Sequence, residues 1–201
     1  MDFATFVLAG ATADLGDEPA AREHADALEF RMDLATDPRE ALRDYDGQLD
    51  LVATNRVEGE GGDAVAGPER LEVLASAAEH PHVGAVDVEL ETVEGGAAED
   101  LLAVAAEGDT AVVVSVHDFE GTPDEEQMVD LLDRACEVGD VGKLAVTATE
   151  PADALSLLSV TATATAAGHT VATMAMGEAG RHTRAVAPIY GSRIGYAPVR
   201  A

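Results

Sequence analysis

Short apolar runs alternate with helical segments along this chain, and this alternation constrains the fold more than any other feature. Several runs are built from β-branched residues and are too short for core helices, so they predict buried strands. The strand candidates cover residues 5–8, 27–32, 49–54, 83–90, 110–117, 141–147, 170–176 and 192–196. Helical patterns lie between them over residues 68–79, 97–107, 123–138 and 151–167. Apolar strands separated by helices predict a parallel sheet covered by helices.

Seven or eight strand–helix repeats predict the α/β class and, within it, a (β/α)₈ TIM barrel. We expect a single domain over residues 1–201, and an open doubly wound sheet is the alternative. The Gly-rich stretch at residues 59–62 does not match a dinucleotide fingerprint, and no Gly-Lys-Ser/Thr phosphate loop occurs. The sequence ends at Ala201, directly after the eighth strand candidate, so we expect the barrel to lack its last helix.

The chain carries 39 acidic and 12 basic residues, a formal net charge of -27. Such a surface repels phosphate backbones and anionic lipids, which argues against nucleic-acid and membrane partners. An acidic, lysine-poor chain that is nevertheless 47% hydrophobic is typical of a folded protein from a halophile. No apolar run reaches the roughly 18 residues of a membrane helix, and the N-terminus does not have the pattern of a signal peptide. We therefore expect a cytoplasmic protein.

Lys143 is the only lysine, since the other eleven basic residues are arginines. It lies inside the apolar run 141–147, which predicts a buried strand. A lysine is rarely buried without a partner or a function. An amine can form a Schiff base with a carbonyl compound, and a guanidinium cannot replace it in that role. The sequence therefore predicts amine chemistry at Lys143.

Polar side chains collect where the strand candidates end, which in a barrel is where active sites form. These residues are Glu29, Arg31, Asp33, Arg56, Glu60, Asp87, Glu89, Ser115, His117, Lys143 and Arg184. The apolar Met174 and Met176 lie at the end of the seventh strand candidate and could form a wall of a ligand pocket. Taken singly, each charge is better explained as part of a solvated rim or of a structural ion-pair layer than as a functional group. Four of the twelve basic residues lie at or just after strand ends, which predicts a site for an anion. They are Arg31, Arg56, Lys143 and Arg184.

In order and spacing, these residues resemble type I 3-dehydroquinate dehydratase over residues 5 to about 196. The matching blocks are Glu29-x-Arg31-x-Asp33, Arg56-x-x-x-Glu60-Gly61-Gly62, Asp87-x-Glu89-Leu90, Ser115-x-His117-x-Phe119-x-x-Thr122-Pro123, Lys143, and Met174-x-Met176-Gly177-x-x-Gly180-x-x-Thr183-Arg184. The resemblance implies a (β/α)₈ barrel, usually dimeric, that dehydrates 3-dehydroquinate to 3-dehydroshikimate in the shikimate pathway of aromatic amino-acid biosynthesis. It implies a small anionic substrate, no cofactor and no metal.

The resemblance also implies roles for single residues. Lys143 resembles the Schiff-base lysine and His117 the general acid and base. Glu60 resembles the carboxylate that works beside the histidine, and Asp87 the carboxylate that orients it. Arg184 resembles the clamp on the substrate carboxylate. The other substrate-binding residues implied in this way are Glu29, Arg31, Arg56, Met174, Met176 and Tyr196.

The resemblance is weakest at the end of the chain. In this family a loop after the eighth strand folds over the substrate and a final helix follows, and neither has a counterpart before Ala201. Two other functions remain open. One is another Schiff-base barrel, such as an aldolase for small sugar phosphates, although no Gly-rich phosphate loop is evident near strands seven and eight. The other is a non-catalytic barrel that binds an anion.

Overall fold

A computed structural model describes residues 1–200, and the chain divides into two compact units. The first unit holds residue 1, residues 7–112 and the C-terminal residues from Tyr196. The second holds residues 2–6 and 113–195. Both follow the predicted alternation of strands and helices, whereas the expectation of a single domain stays a prediction.

The first unit contains four strands, each of which pairs in parallel with the next one along the chain. The strands are β1 (Val7–Thr12), β2 (Ala27–Arg31), β3 (Asp50–Thr54) and β4 (Val83–Glu89). The helices are α1 (Glu18–Ala21), α2 (Pro38–Arg43), α3 (Pro68–Ala78), α4 (Leu90–Glu94) and α5 (Glu99–Gly108). Helices α2 and α3 begin with proline, whose fixed φ suits the first turn.

The second unit continues the same arrangement. Its strands β5 (Ala111–His117), β6 (Val141–Thr147) and β7 (Val171–Met176) pair in parallel and in chain order. Its helices are α6 (Glu125–Val138), α7 (Pro151–Ala166), α8 (Gly177–Gly180) and α9 (Thr183–Val186). The last strand is β8 (Ile194–Pro198), whose first two residues belong to the second unit and whose residues from Tyr196 belong to the first. Within residues 1–200 no helix follows it.

Packing of β6 against its helices decides which way Lys143 points. Leu144 and Val146 belong to an apolar core shared with α6 and α7. Gly142 lies on the same side, where an added Cβ would stand 2.5 Å from the Sγ of Cys136 and 3.2 Å from the carbonyl oxygen of Leu132. Because successive strand residues point to opposite faces, Lys143 projects to the face that the helices do not cover.

The first unit shows the same division. On β2, Leu28 and Phe30 are fully buried apolar residues, whereas Glu29 and Arg31 alternate with them and share the other face. The register places Arg31 opposite Thr54 of β3, and Thr54 opposite Asp87 of β4. A row of polar side chains therefore crosses three neighbouring strands on one face.

The predicted elements are present, with shifts at their ends. Strand β1 runs over Val7–Thr12 rather than residues 5–8, because its weakly apolar second half pairs with β2. Strand β8 lies two residues later than predicted. The helices α1, α2, α4, α8 and α9 are too short to leave a periodic pattern and were not predicted. No helix within residues 1–200 has the length and apolar character needed to cross a membrane.

Candidate active site

Lys143 is 4% exposed in the middle of β6, which confirms its predicted burial in a strand. The sheet register places Ser115 of β5 on one side of it and Ala172 of β7 on the other. Both neighbours are small and fully buried. We call this surface of the second unit, formed by Ser115, His117, Lys143, Ala172 and Met174, the lysine face.

His117 ends β5 and lies one row further along the lysine face, opposite Ala145. The loop that follows it is fixed to the end of β6, since the Asp118 amide donates to the Ala145 carbonyl over 2.8 Å. The Thr147 hydroxyl donates to the Asp118 carbonyl over 3.0 Å. The half-buried imidazole stacks on Phe119, with ring centroids 6.2 Å apart and planes at 12°. These contacts restrict where the histidine can point.

Arg184 lies in α9, beyond the end of β7. The preceding residue, Thr183, anchors this turn, because its buried hydroxyl accepts the Ala175 amide over 2.9 Å. The guanidinium approaches Met174, with 3.5 Å between Nη1 and Sδ. Arg184 and Met174 are thus in contact, and Met176 ends the same strand half-buried.

The first unit holds a cluster of charged side chains, Arg56, Arg70, Asp87 and Glu89, which we call the arginine–carboxylate cluster. All four are at least nine-tenths buried. Arg56 donates to Asp87 over 2.6 Å and lies 3.3 Å from Glu89. Burial opposes the charged form of Arg56, but the two carboxylates outweigh it and raise its pKa above the ordinary value. Arg56 is therefore a permanent cation inside the fold.

Arg31 and the loop that carries Glu60 are joined through Asp33. Arg31 donates to Asp33 through Nε and Nη2, over 2.9 and 2.6 Å, and its Nη2 also reaches the Gly61 carbonyl at 3.3 Å. A Cβ on Gly62 would stand 2.0 Å from the Arg56 carbonyl oxygen, so only glycine permits this approach. Half-buried Glu60 ends the short 3₁₀ turn immediately before these glycines.

Glu29 and Tyr196 complete the predicted residues of the first unit. Glu29 is buried and accepts a hydrogen bond from the Thr54 hydroxyl over 3.1 Å. Tyr196 is also buried. Burial, with the negative charges of Asp87 and Glu29, raises the pKa of its phenol well above the usual value. Tyr196 is therefore a neutral hydroxyl at any physiological pH.

Two features of the first unit were not predicted from the sequence. The carboxylate partners of Arg31 and Arg56 are Asp33 and Asp87. Arg70 was missed altogether, although a signal was present. It lies four, seven and eight residues before buried Leu74, Ala77 and Ala78, a spacing that places it on the core face of α3. A cation at such a position indicates a buried ion pair.

Parallel strand–helix repeats, a buried amine on one strand and buried arginine–carboxylate pairs at strand ends define an α/β enzyme of the barrel class. A family model described as type I 3-dehydroquinase matches residues 6–201. The chain belongs to this family, and the prediction of an enzyme of the type I 3-dehydroquinate dehydratase class is confirmed.

Relatives and solved structures agree with this assignment. The chain is 55% identical to the 3-dehydroquinate dehydratase of Halobacterium salinarum, over 99% of this chain and 89% of that protein. It is 54% identical to that of Haloarcula marismortui, over 99% and 88%. These relatives support the predicted halophilic character. The solved 3-dehydroquinate dehydratase of Geobacillus kaustophilus, 25% identical, matches with a TM-score of 0.84 over 98% of this chain and 84% of its own.

The fold class follows from the similarity of this chain to solved structures. The type I enzyme of Clostridium difficile, 23% identical, matches with a TM-score of 0.88 over 98% of this chain and 85% of its own. Together with the parallel strand–helix repeats, this confirms the predicted (β/α)₈ TIM-barrel class.

Proposed function

We propose that this chain dehydrates 3-dehydroquinate to 3-dehydroshikimate through an imine on Lys143. The observation that carries the proposal is the placement of the chain's one lysine in the middle of β6, 4% exposed. It shares a strand face with His117 of the neighbouring strand. Imine-assisted removal of a proton next to a ketone needs at least a nucleophilic amine and a nearby general base, and Lys143 and His117 can supply these two groups.

The first step of the proposed reaction uses the amine. Neutral Lys143 attacks the ketone carbon to give a carbinolamine. Protonated His117 then donates a proton to the carbinolamine hydroxyl, which leaves as water, so the product is a cationic imine and His117 becomes neutral. That cation accepts the electron pair which a carbanion next to a ketone holds poorly. The small side chains of Ser115 and Ala172 on either side of Lys143 favour this step, because bulkier neighbours would crowd the tetrahedral intermediate.

The second step uses His117. Its imidazole removes the proton next to the imine carbon, and the protonated ring then returns a proton to the departing hydroxyl, which leaves as water. Histidine suits both roles because its ordinary pKa lies near neutrality. Hydrolysis of the product imine restores the amine of Lys143. The stacking of the ring on Phe119 and the tethered loop after β5 favour a fixed position for this base.

Binding of the substrate carboxylate is assigned to Arg184. A guanidinium offers two parallel N–H donors to a carboxylate, which is stronger and more directional than a single ammonium. Thr183 anchors the turn that carries Arg184, and the Met174 thioether beside it offers an apolar wall for a ring. Met176 is assigned to the same wall.

Residues of the first unit enter the proposal through the family motif. Glu60 is assigned to work with the histidine and Asp87 to orient it. Arg31, Arg56 and Glu29 are assigned to the ring hydroxyls and the charge balance. Tyr196 is assigned as a neutral hydrogen-bonding group, which agrees with the raised pKa of its phenol.

Borohydride trapping tests the imine directly. The protein is incubated with 3-dehydroquinate, reduced with sodium borohydride, digested and mapped by mass spectrometry. Because Lys143 is the only lysine, an adduct on the lysine-containing peptide identifies the site. The matched control is Lys143→Arg, which keeps the positive charge and cannot form the imine. We expect an adduct and turnover in the wild type and neither in the control, with His117→Ala folded but severely slowed.

Other outcomes select the other functions. An adduct formed with a small sugar phosphate and not with 3-dehydroquinate would identify an aldolase. Binding of a carboxylate without an adduct from either compound would identify a non-catalytic barrel. Normal turnover in Lys143→Arg would end the Schiff-base proposal.

We further propose that the chain works as a cytoplasmic homodimer in the shikimate pathway of aromatic amino-acid biosynthesis. Light scattering coupled to size-exclusion chromatography in high salt tests the oligomeric state. A mass near twice 20.7 kDa supports the dimer, and a mass near 20.7 kDa contradicts it.

A further inference from the structure

Arg70 of α3 ties together the ends of β3 and β4. Its Nη1 donates to the Asn55 carbonyl over 2.7 Å, and the Asn55 side-chain amide donates back to the Arg70 carbonyl over 3.0 Å. Its Nη2 lies 2.9 Å from the Glu89 carboxylate and donates to the Thr92 hydroxyl over 3.1 Å. The side chain is thus fixed by contacts with three residues of the first unit, Asn55, Glu89 and Thr92.

Glu89 passes this restraint on to Arg56. One of its oxygens, Oε1, accepts the Val57 amide over 3.1 Å and lies 3.3 Å from Nη1 of Arg56. Arg70 therefore holds the residue before Arg56 directly, through the Asn55 carbonyl. It holds the residue after Arg56 indirectly, through Glu89. The two residues next to Arg56 in the chain are therefore held by the two members of the Arg70–Glu89 ion pair, Asn55 by Arg70 and Val57 by Glu89.

The charges of the arginine–carboxylate cluster balance only when Arg70 is present. Arg56 and Arg70 supply two positive charges, and Asp87 and Glu89 supply two negative ones. Without Arg70, Arg56 would face both buried carboxylates. Its Nη1 already lies 3.3 Å from Glu89 while its Nη2 donates to Asp87 over 2.6 Å, so any shift that shortened the Glu89 contact would draw the guanidinium away from Asp87. A buried carboxylate without a cation is costly, so this competition would be strong.

We propose that Arg70 is a positioning residue which keeps Arg56 directed at Asp87 by neutralising Glu89. The proposal rests on the function proposed above, in which Arg56 and Asp87 serve the reaction. In this role Arg70 acts through Glu89 and Arg56 and does not need to touch the substrate. Arg70 and Glu89 also line a cavity of about 670 Å³ together with Glu60. The same ion pair therefore borders the segment that carries Glu60, the carboxylate proposed to work with the histidine.

The experiment compares single and charge-balanced variants. Arg70→Gln leaves one excess buried negative charge, and Glu89→Gln leaves one excess positive charge. The double variant Arg70→Gln/Glu89→Gln restores neutrality, with Arg56 and Asp87 as the remaining pair. Arg43→Gln is the matched control, because Arg43 is an exposed arginine of the same unit. Arg70→Lys keeps the charge and loses the forked geometry.

We expect Arg70→Gln to lower kcat by about 10- to 100-fold, the range for a misplaced catalytic group, and Arg43→Gln to leave it unchanged. The double variant should recover at least part of the loss, and Arg70→Lys should be intermediate. If Arg70 is purely structural, the kcat of the double variant should be no higher than that of the worse single variant. That result would overturn the proposal. If Arg70→Gln does not fold, the comparison of Arg70→Lys with the double variant decides the same question.

Crystal structures of the variants separate this proposal from the proposed function. In Arg70→Gln we expect Arg56 to move from Asp87 towards Glu89, and in the double variant to return to Asp87. This readout does not require turnover, so it remains decisive if the wild type does not dehydrate 3-dehydroquinate. An Arg56–Asp87 contact that stays unchanged in Arg70→Gln would contradict the positioning role even if the wild type is active.

Discussion

Arg56 and Asp87 form an ion pair of 2.6 Å between two side chains that are almost completely withdrawn from solvent. Arg56 follows β3 and Asp87 lies on β4, so the pair joins two neighbouring strands near their C-terminal ends. Desolvation of two charges is expensive, and removal of one partner leaves the other charge buried and uncompensated.

Asp87→Asn should destabilise the fold. The amide keeps the shape and one acceptor but leaves Arg56 with less negative charge, so we expect the free energy of unfolding to fall by about 1–3 kcal/mol and turnover to fall with it. Urea denaturation at constant high salt measures the loss. Asp46→Asn is the control, since Asp46 is exposed. Equal stability of the two variants would contradict the importance of the buried pair.

Gly142→Ala should disturb the contact between β6 and α6. The new methyl group would lie 2.5 Å from the Cys136 sulfur, and such overpacking costs about 1–3 kcal/mol. Adding Cys136→Ala removes the sulfur, so the double variant should regain part of the stability. Thermal unfolding of the wild type, both single variants and the double variant gives the coupling. Strictly additive losses would show that the sulfur is not the obstacle.

Glu18 should contribute stability that disappears in acid. The buried carboxylate pairs with Arg22 and accepts the amides of Gln48 and Leu49 over 3.0 and 3.2 Å. Burial acts in the opposite direction, but these contacts lower its pKa below the ordinary 4.5. Because the folded pKa is the lower one, the stabilisation is present above pH 4.5 and is lost as the pH falls through the folded pKa.

Denaturant unfolding of Glu18→Gln across the acid range measures this effect. We expect the variant to be less stable than the wild type near neutrality and the gap to narrow in acid. Glu23→Gln, at an exposed position, serves as the control. A gap that does not change with pH would show that the Glu18 charge is not responsible.

Tyr45 should make the fold sensitive to alkali. Its hydroxyl donates to the Leu49 carbonyl over 2.7 Å. Burial, and next the Glu18 charge, raise the pKa of Tyr45 from 10.0 to about 12. The unfolded chain therefore loses this proton first, so stability falls as the pH rises from 10 to 12. The limit is about 1.4 kcal/mol per pH unit.

Tyr45→Phe removes this titration. We expect it to lose about 1 kcal/mol near neutrality through the missing hydrogen bond and to show a shallower alkaline decline than the wild type. Tyr190→Phe, at an exposed tyrosine, should match the wild type in denaturant unfolding between pH 9 and 12. Parallel alkaline curves for wild type and Tyr45→Phe would rule out Tyr45 as the source.

Sequence patterns predicted the strands better than the helices, for a physical reason. Buried strands such as β6 are continuous apolar runs, so the predicted range 141–147 agrees with the structure at both ends. One-turn helices such as α8 and α9 leave no periodicity. Their positions depend on tertiary contacts such as the hydrogen bond between the Thr183 hydroxyl and the Ala175 amide.

The candidate site divides in the same way. The burial of Lys143 was predictable because it is the only lysine in the chain and because it lies inside an apolar run, where lysine is rare. The partners of the arginines were not predictable, because pairing depends on which strand ends lie side by side. Arg31 binds Asp33 on its own segment, whereas Arg56 binds Asp87, 31 residues away. Arg70 was hidden because a charged residue in a helix is ordinarily taken as exposed.

The arginine–carboxylate cluster also bears on the order in which the chain can acquire structure during synthesis. The ion pairs that join its four members, Arg56–Asp87, Arg56–Glu89 and Arg70–Glu89, span 19 to 33 residues. Short separations favour early formation. These charges can therefore be paired and shielded while the strand that bears Lys143 is still unmade. A fragment ending soon after Thr92 already contains all four members of the cluster.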